Sequence, residues 1–526
     1  MRKKHTFSKA IRPTSGFHLN GFILIALILY QCASGAELTT GTPFQDGAVL
    51  QHGKVLPIWG TAEPKESVTL KFAEQTTVTQ ADQEGNWMVE LQPLPISRQG
   101  LEMTISTPSQ TKRVKDILVG DVWICAGQSN MAFKLRQTEN ADEAIATADY
   151  PLIRQLLMPN NPSGDKPQSF VKAEWTSASS STAGEFSGVA YYFGRELYES
   201  LNIPIGLINA SVGGTGVEAW TSQEALQNDP NYPAIQQRWQ QVMAVYPAKM
   251  EQFKQNVEVW KNAREDAIKR NISPLPRAPR KPAGPQDRNR PSALFNGMIN
   301  PLIPYAAKGF IWYQGEHNAF RSDEYASLFM TMITQWRNDF AQGSLPFYFV
   351  QLPNRDLESD GSRVAWAALR LEQAKALTLP NTGMAVTIDI GDSRDTHPKN
   401  KLDVGRRLAW IALSQTYHKK IPYASPTLKQ AKAQGSEMLL TFKAHDGLEL
   451  REDVLPAFEI RGSSDYELAN VSLSGNTVTL SSPKVKNPTA ARYAWSNDPP
   501  VALYSKAGLP AAPFSIDITT SAKLSN

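Results

Sequence analysis

Residues 117–131 of the chain read ILVGDVWICAGQSNM. The first eight residues are almost entirely apolar, as in a strand that is buried on both faces of a parallel sheet. Ser129 follows on a glycine-containing turn, at the carboxyl end of this strand, where open α/β sheets bind their ligands. The segment therefore predicts an α/β domain with a serine hydroxyl at the ligand-binding edge of its sheet.

The chain up to about residue 430 continues as alternating strands and helices. Apolar runs with the length of buried strands recur at Ile205–Ala210, Gly309–Tyr313, Phe347–Leu352 and Met384–Ile388. Amphipathic helical patterns separate them, for example at Tyr325–Phe340. This repetition predicts a parallel sheet covered by helices.

Three regions depart from the alternation. Residues 225–292 combine an amphipathic helical pattern with a Pro-rich basic stretch at 274–291, which we interpret as an insertion with a solvated linker rather than a docking patch. Short alternating strand patterns at 48–107 and 436–482 are typical of antiparallel β-modules. We predict a leader at 1–36, a β-sandwich module at 37–112, the α/β domain at 113–430, a β-module at 431–485, and a segment at 486–526 that returns to the α/β or the β domain.

The amino-terminal residues have the pattern of an export signal. Basic residues precede the apolar run Gly21–Tyr30, which is about half as long as a bilayer span, and small residues at 34 and 36 are spaced for cleavage before Glu37. We expect a periplasmic or secreted protein with no transmembrane span after cleavage. Lipid attachment at Cys32 ranks second, because Gln31 stands where a small residue is required.

Charge and cysteine content exclude several classes of partner. The leader carries five basic and no acidic residues, so subtracting it from the net charge of +4 leaves −1. That balance argues against a nucleic-acid or basic membrane-binding surface. Cys125 is the only cysteine after the leader, which excludes an intrachain disulfide and a thiolate zinc cluster. The sequence leaves the oligomeric state open.

A hydrolase that uses no metal needs a nucleophile, a base, a group that orients the base, and oxyanion donors. Ser129 is the candidate nucleophile, although Met131 replaces the second glycine of a G-x-S-x-G turn, and a serine in a turn is more often a cap. His397 is the candidate base, found largely by elimination, because it follows a buried strand in a loop with nearby carboxylates. Asp395, two residues before it, can face its ring.

Two further clusters follow buried strands. Gly213 and Gly214 come after Ile205–Ala210, and Asn318 ends the run Gln314-Gly315-Glu316-His317-Asn318 after Gly309–Tyr313. Paired glycines let backbone N–H groups approach a ligand, and an Asn amide is a neutral donor for an oxyanion. Taken singly, the glycine pair is explained by a tight turn and Asn318 by a helix cap. Together with the turn of Ser129 and the loop of His397, however, they make four clusters at four strand ends, which favours one shared site.

Together these motifs resemble the sialate O-acetylesterase family, a branch of the SGNH hydrolases. The resemblance covers nearly the whole chain after the leader. The matching motifs are Gly120-Asp121-Val122-Trp123, Gly127-Gln128-Ser129-Asn130-Met131, Gly213-Gly214-Thr215 with Trp220, Phe295-Asn296-Gly297-Met298, Gln314-Gly315-Glu316 with Asn318, His397-Pro398 with Asn400-Lys401, Gly405-Arg406-Arg407-Leu408, Arg492-Tyr493-Ala494-Trp495 and Gly508-Leu509-Pro510.

The resemblance implies a flavodoxin-like three-layer α/β domain with accessory β-sandwich modules. It implies Ser129 as nucleophile and His397 as base, with an oxyanion hole formed by the Ser129 amide, a glycine of the Gly213-Gly214 pair, and Asn318. Substrate contacts are expected from five residues, the tryptophans by stacking on a sugar ring: Gln128, Gln314, Glu316, Trp220 and Trp312.

The group that orients His397 is open at this stage. Many SGNH enzymes place an aspartate three residues before the histidine, where this chain has Arg394. We choose Asp395, with Asp392 behind it and a backbone carbonyl as the third alternative.

The implied activity is the hydrolysis of acetyl esters on a sugar through an acetyl-serine, without a metal or organic cofactor. Acetylated sialic acid is the family's named substrate, and 9-O-acetylated sialic acid is our leading expectation. Acetylxylan or another plant polysaccharide is the alternative, because the same chemistry serves it. A non-catalytic glycan-binding protein ranks lower, since the serine, the histidine and the asparagine are all present.

Overall fold

A computed structural model describes residues 36–164, 166–356 and 364–518 of the chain. The predicted leader up to residue 35, including Cys32, lies outside the described residues. Over the described ranges, no helix combines the length and the apolar character needed to cross a membrane.

The amino-terminal region is a mostly antiparallel β-module, in which only the short first strand forms a parallel pair among the described residues. Its strands are β1 (Val49–Gln51), β2 (Leu56–Thr61), β3 (Ser67–Phe72), β4 (Gln75–Gln80), β5 (Asn86–Leu91) and β6 (Ser97–Ser106). Strand β2 pairs antiparallel with β5, and β3 lies between β4 and β6. Val68, Leu70 and Phe72 of β3 are buried while their neighbours are more exposed, as the alternating pattern predicts.

A second set of strands forms the α/β sheet. These are β7 (Thr111–Gly127), β8 (Asp149–Leu157), β9 (Trp175–Ser179), β10 (Ile205–Ser211), β11 (Gly309–Tyr313), β12 (Phe347–Val350) and β13 (Thr382–Ala385). Their order is β13-β12-β11-β7-β10-β8-β9, and all pairs are parallel except β8 with β9. The parallel sheet expected from the apolar runs is therefore present.

The long strand β7 belongs to both regions. Its first part pairs antiparallel with β6 as far as Val119, and its second part pairs in parallel with β10 from Asp121 and with β11 from Trp123. The N-terminal β-module and the α/β sheet are thus continuous through one strand.

The strand order sets the position of the ligand site. The parallel strands β7, β10, β11, β12 and β13 lie side by side in the order β10-β7-β11-β12-β13, which is the 2-1-3-4-5 order of flavodoxin-like sheets. Strands β8 and β9 extend the sheet beyond β10. The chain reaches β10 on one side of β7 and then β11 on the other. The carboxyl end of β7 is therefore a topological switch point, where ligands bind in open α/β sheets.

Helices cover both faces of this sheet. Their bounds are α1 (Ser129–Ala132), α2 (Ala141–Ala146), α3 (Gly188–Leu201), α4 (Gln223–Gln227), α5 (Tyr232–Lys269), α6 (Ser322–Phe340), α7 (Ala365–Ala374) and α8 (Leu402–Gln415). Trp123 of β7 packs in the core formed with α3 and α8. Its neighbour Ile124 packs in the core formed with α6 and α7, because successive strand residues point to opposite faces.

The predicted insertion consists of a long helix and an arm that returns along it. Helix α5 has 38 residues, and the arm, residues 274–291, contains no helix or strand. Trp260 of the helix donates to the carbonyl of Pro276 at 2.9 Å. Arg238 forms two hydrogen bonds of 2.7 Å with Glu324 of α6, which attach the insertion to the α/β domain.

The carboxyl-terminal region forms separate antiparallel sheets. Its strands are β14 (Thr427–Gln434), β15 (Glu437–Lys443), β16 (Leu448–Leu450), β17 (Phe458–Arg461), β18 (Glu467–Leu468), β19 (Asn470–Ser474), β20 (Thr477–Ser481), β21 (Ala490–Tyr493), β22 (Leu503–Ser505) and β23 (Phe514–Asp517). They pair in the orders β14-β15-β20-β19, β18-β17-β21-β23 and β16-β22. The loop after β21 also contacts the α/β domain, because Arg370 of α7 donates to the carbonyls of Ser496 and Asn497.

Candidate active site

The turn that carries Ser129 follows directly from strand β7. Gly127 has a φ of +141°, and a Cβ at this position would lie 2.2 Å from the carbonyl oxygen of Tyr313 on β11. Only glycine allows this approach. Ser129 is then the first residue of the short helix α1, at the carboxyl end of the central strand.

The loop between β13 and α8 carries His397. The His397 Nδ1 atom lies 3.5 Å from Oδ1 of Asp395, and the same oxygen accepts the His397 backbone N–H at 2.9 Å. The Oδ1 atom of Asp392 instead accepts the backbone N–H of Arg394. Among the alternatives that the sequence left open, the contacts of Asp395 support its choice as the group that orients the ring.

The pKa of His397 is lowered. Burial is the main cause, the charge of Lys401 adds to it, and Asp395 acts in the opposite direction. The lowered pKa keeps the imidazole neutral to a lower pH than usual, and only the neutral ring can accept a proton.

Neighbouring residues bring the serine turn and the histidine loop together. The Nδ2 atom of Asn130 donates to the carbonyl of Thr396 at 2.9 Å, and the Phe133 ring stacks on the His397 ring with their centroids 6.1 Å apart. No hydrogen bond joins the Ser129 hydroxyl to the His397 imidazole in the described part of the chain. Such bonds are commonly long before substrate binds.

Gly213 lies close to the serine. A Cβ on Gly213 would lie 3.2 Å from the Cβ of Ser129, whereas one on Gly214 would lie 3.3 Å from the Arg288 guanidinium. Within the described ranges, the backbone N–H groups of Ser129 and Gly213 donate no hydrogen bond. Of the two predicted glycines, Gly213 therefore faces the serine, and two unused N–H donors adjoin it.

Asn318 is buried and its amide orientation is fixed. Its Oδ1 accepts from the backbone N–H of Val217 at 3.1 Å and from Gln314 Nε2 at 2.7 Å, while its Nδ2 donates to Glu218 Oε2 at 2.8 Å. These bonds use one of the two Nδ2 hydrogens, and the other donates no hydrogen bond to the described residues.

Glu218 and Arg321, which sequence reasoning missed, support this amide. Arg321 forms an ion pair of 3.0 Å with Glu218. Burial alone would raise the pKa of Glu218, but the Arg321 charge and the Asn318 hydrogen bond outweigh it and hold the pKa below its usual value. Glu218 lies beside the matched motif Gly213-Gly214-Thr215, yet nothing in the local pattern pairs it with a residue 100 positions away.

The five residues expected to contact the substrate lie in different environments. Trp220 and Trp312 are 0% exposed and pack edge to face in the core, with their centroids 5.9 Å apart. The expectation that they stack on a sugar is corrected, because neither ring has an exposed face. Gln314 is also 0% exposed and bonds to Asn318 and to the carbonyl of Thr215.

The other two residues of this set lie close to the serine turn. The Oε1 atom of Gln128 accepts the backbone N–H of His317 at 3.4 Å. Glu316 Oε1 accepts a hydrogen bond from Asn130, and its Oε2 is buried without a partner among the described residues. Both side chains therefore lie beside the serine turn, each held by a hydrogen bond.

The insertion also reaches the glycine turn, which the sequence did not indicate. Asn289 donates to the carbonyl of Gly214 at 2.9 Å and accepts from the backbone N–H of Gly216 at 3.1 Å. The neighbouring Arg288 is the exposed residue whose guanidinium lies beside Gly214. The arm of the insertion therefore forms part of the wall of the site.

Comparisons with known proteins agree with these features. The family model described as carbohydrate esterase, sialic acid-specific acetylesterase, matches residues 119–268 and 288–414. Sialate O-acetylesterase of Rattus norvegicus is 30% identical, with 94% of this chain and 98% of the relative covered, and that of Homo sapiens is 28% identical, with 94% and 96% covered.

A solved structure shows the same fold. A carbohydrate acetylesterase from Xanthomonas citri superimposes with a TM-score of 0.77 at 32% identity, covering 91% of this chain and all of that one. The gap between the two matched ranges, residues 269–287, covers the end of α5 and most of the Pro-rich arm but not Arg288 and Asn289, which reach the glycine turn. The chain therefore belongs to the sialic acid-specific acetylesterase family of carbohydrate esterases.

Proposed function

We propose that the protein is an exported carbohydrate O-acetylesterase of the SGNH type that works through an acetyl-serine. The observation that carries this proposal is the close approach of Gly213 to Ser129, where a Cβ added to the glycine would lie 3.2 Å from the serine Cβ, together with the unused backbone N–H groups of these two residues in the described part of the chain. A serine beside unused donors is the arrangement that an acyl transfer requires. The flavodoxin-like class is proposed from these residues and from the strand order β10-β7-β11-β12-β13.

The proposed reaction follows from the roles of the residues. His397 accepts the proton of Ser129 as the hydroxyl oxygen attacks the acetyl carbonyl carbon. The N–H groups of Ser129, Gly213 and Asn318 stabilise the resulting oxyanion, and Asp395 holds the imidazole and stabilises its protonated form. His397 then protonates the departing sugar oxygen. Water attacks the acetyl-serine with His397 again as base, releases acetate and restores the hydroxyl.

We propose 9-O-acetylated sialic acid as the substrate. The support is the match to relatives named sialate O-acetylesterase over almost the whole chain. The solved relative from Xanthomonas citri is titled only as a carbohydrate acetylesterase, so acetylxylan is the competing outcome of the test below.

Export rests on the leader pattern of residues 1–36. We propose cleavage before Glu37 and a periplasmic or secreted location. Amino-terminal sequencing of the protein recovered from its native host tests this, because Glu37 is expected as the first residue. A mature protein that begins at Cys32 and carries lipid would establish the alternative instead.

Acetate release tests the activity. Purified protein from residue 37 onward is incubated with 9-O-acetylated sialic acid and, in parallel, with acetylated xylan. The Ser129→Ala variant is the control. Release from the sialic acid that is lost in the variant supports the proposal, and release from xylan alone keeps the mechanism but moves the substrate to a plant polysaccharide. No release from any acetyl ester would favour a glycan-binding protein.

A further inference from the structure

A buried lysine lies beneath the site, and the mechanism above does not use it. Lys401 immediately precedes helix α8, and its side chain is 0% exposed. Its Nζ atom donates to the carbonyl of Pro398 and to Oδ1 of Asn130, both at 2.6 Å. The ammonium lies 5.0 Å from the ring centre of Phe133 and 5.5 Å from that of Tyr313, so polar and aromatic groups enclose it.

Asn130 extends these contacts to a second point of the histidine loop. Its Nδ2 donates to the carbonyl of Thr396 at 2.9 Å and to Oε1 of Glu316 at 2.5 Å. The two donors and the acceptor of this amide are thus all bonded to protein. Thr396 and Pro398 are the residues on either side of His397, so the lysine holds one side directly and the other side through Asn130.

Glu316 supplies the opposite charge. Burial raises the pKa of Glu316 and lowers that of Lys401 to about 7. Such buried charges depend on each other, because removal of one leaves the other uncompensated. The hydrogen bond from Asn130 holds one oxygen of this carboxylate in the protein interior, while Oε2 has no partner among the described residues.

We propose that Lys401 is a positioning residue for His397, and that through Asn130 it fixes the loop at 396–398 against the turn of Ser129. This inference rests on the proposed function. Asn130 directly follows the nucleophile, so its side-chain amide connects the turn that carries Ser129 to the loop that carries His397. A displacement of the base by about 1 Å would then cost on the order of 100-fold in rate.

The charge of Lys401 also bears on the pKa of His397. Burial is the largest effect on the His397 ring; among the charged groups of the described residues that act on it, Asp395 raises its pKa, while Lys401 and Arg355 lower it. Replacement of Lys401 by an apolar residue removes one of the two positive charges. The pKa of His397 should then rise, and the acidic limb of the pH profile of kcat/KM should move to higher pH.

The test is the Lys401→Met variant of the protein from residue 37 onward, assayed on an aryl acetate from pH 4 to pH 9. We expect a fall in kcat on the order of 10- to 100-fold with little change in KM. We also expect the upward shift of the acidic limb, which a purely structural lysine would not produce.

Lys54 provides a matched control at the opposite end of the sheet. Its Nζ donates to the carbonyl of Ala307 at 2.7 Å, and burial lowers its pKa to about 8, so it too is a lysine that holds a main-chain carbonyl. Lys54→Met should leave the acidic limb in place. If Lys401→Met does not fold, the double variant Lys401→Met with Glu316→Gln removes both buried charges, and the same two readouts apply to it.

The outcomes separate this inference from the proposed function. A folded Lys401→Met protein with wild-type kcat and an unmoved acidic limb would overturn the positioning role. So would equal losses of kcat in Lys401→Met and Lys54→Met without a shift of the limb. Ser129→Ala runs in the same assay: full activity in that variant refutes the proposed function, whereas its inactivity leaves the function standing whatever the lysine variants show.

Discussion

Replacement of Asn318 by alanine tests the oxyanion hole. The side chain is fixed by bonds to Val217, Gln314 and Glu218, which leave one Nδ2 hydrogen for the developing oxyanion. Loss of one such donor typically costs on the order of 100- to 1000-fold in kcat, which corresponds to about 3 to 4 kcal/mol of transition-state stabilisation. KM should change little, because the bond forms only when the carbonyl oxygen gains charge.

The assay measures kcat and KM on an aryl acetate, together with thermal unfolding. The unfolding scan is needed because truncation also leaves the buried groups that Asn318 bonded without a partner, at about 1 to 3 kcal/mol for each such group. Asn289→Ala is the matched control, since this amide supports the same glycine turn through Gly214 and Gly216 but does not contact Asn318. A folded Asn318→Ala protein that loses less than about tenfold in kcat, or no more than the control, would refute the role of this amide.

Three further outcomes follow from the charges and hydrogen bonds of the structure. Asp395→Asn should lower kcat and move the acidic limb of kcat/KM to lower pH, because Asp395 raises the pKa of His397; a limb that moves upward in the pH profile would contradict this. Asp121 accepts bonds from several residues that together hold its pKa below the usual 3.8 despite burial, so its contribution to stability is present above that pH and is lost as the pH falls through the lowered value. The unfolding free energies of wild type and Asp121→Asn, measured with a denaturant, should therefore converge as the pH falls. A difference between them that stays constant with pH would contradict this prediction. Arg370→Leu should cost on the order of 3 to 5 kcal/mol, because the side chain is fully buried and donates to four carbonyls, and urea unfolding with a difference below about 1 kcal/mol would show that these bonds do not matter.

The strands of the α/β sheet could be predicted because their signal is local. Ile205–Ala210, which is apolar except for Asn209, lies within β10, and the apolar run Gly309–Tyr313 matches β11. The last predicted strand, Met384–Ile388, differs more, since β13 is Thr382–Ala385. Val386 and Ile388 are still buried, so the apolar pattern continues past the end of the hydrogen-bonded ladder.

Strand order and pairing were less accessible from the sequence. The insertion of β10 between β7 and β8 depends on contacts between residues more than 40 positions apart, such as Ile205 with Ile153. A periodic pattern specifies which faces are buried but not which neighbour covers them.

The same distinction applies to the site. Ser129 and His397 follow buried strands in recognisable motifs, so each could be found alone. Lys401 and Glu316 meet through Asn130 across 271 and 186 positions, and no local pattern records such a meeting. The prediction that Trp312 stacks on a sugar was wrong because its position beside a site motif was misleading. The sequence does not distinguish a tryptophan that lines a cleft from one that is buried in the core.

Covalent labelling with a phosphonate ester tests the central claim, that Ser129 is the nucleophile. Such reagents phosphonylate an activated serine hydroxyl and then leave slowly, so peptide mapping identifies the residue that attacked. The account predicts one label on the peptide that contains Ser129, with acetate release lost in proportion to labelling, and no label in Ser129→Ala. Inactivation with the label on a different residue, or acetate release at the wild-type rate by Ser129→Ala, would contradict it.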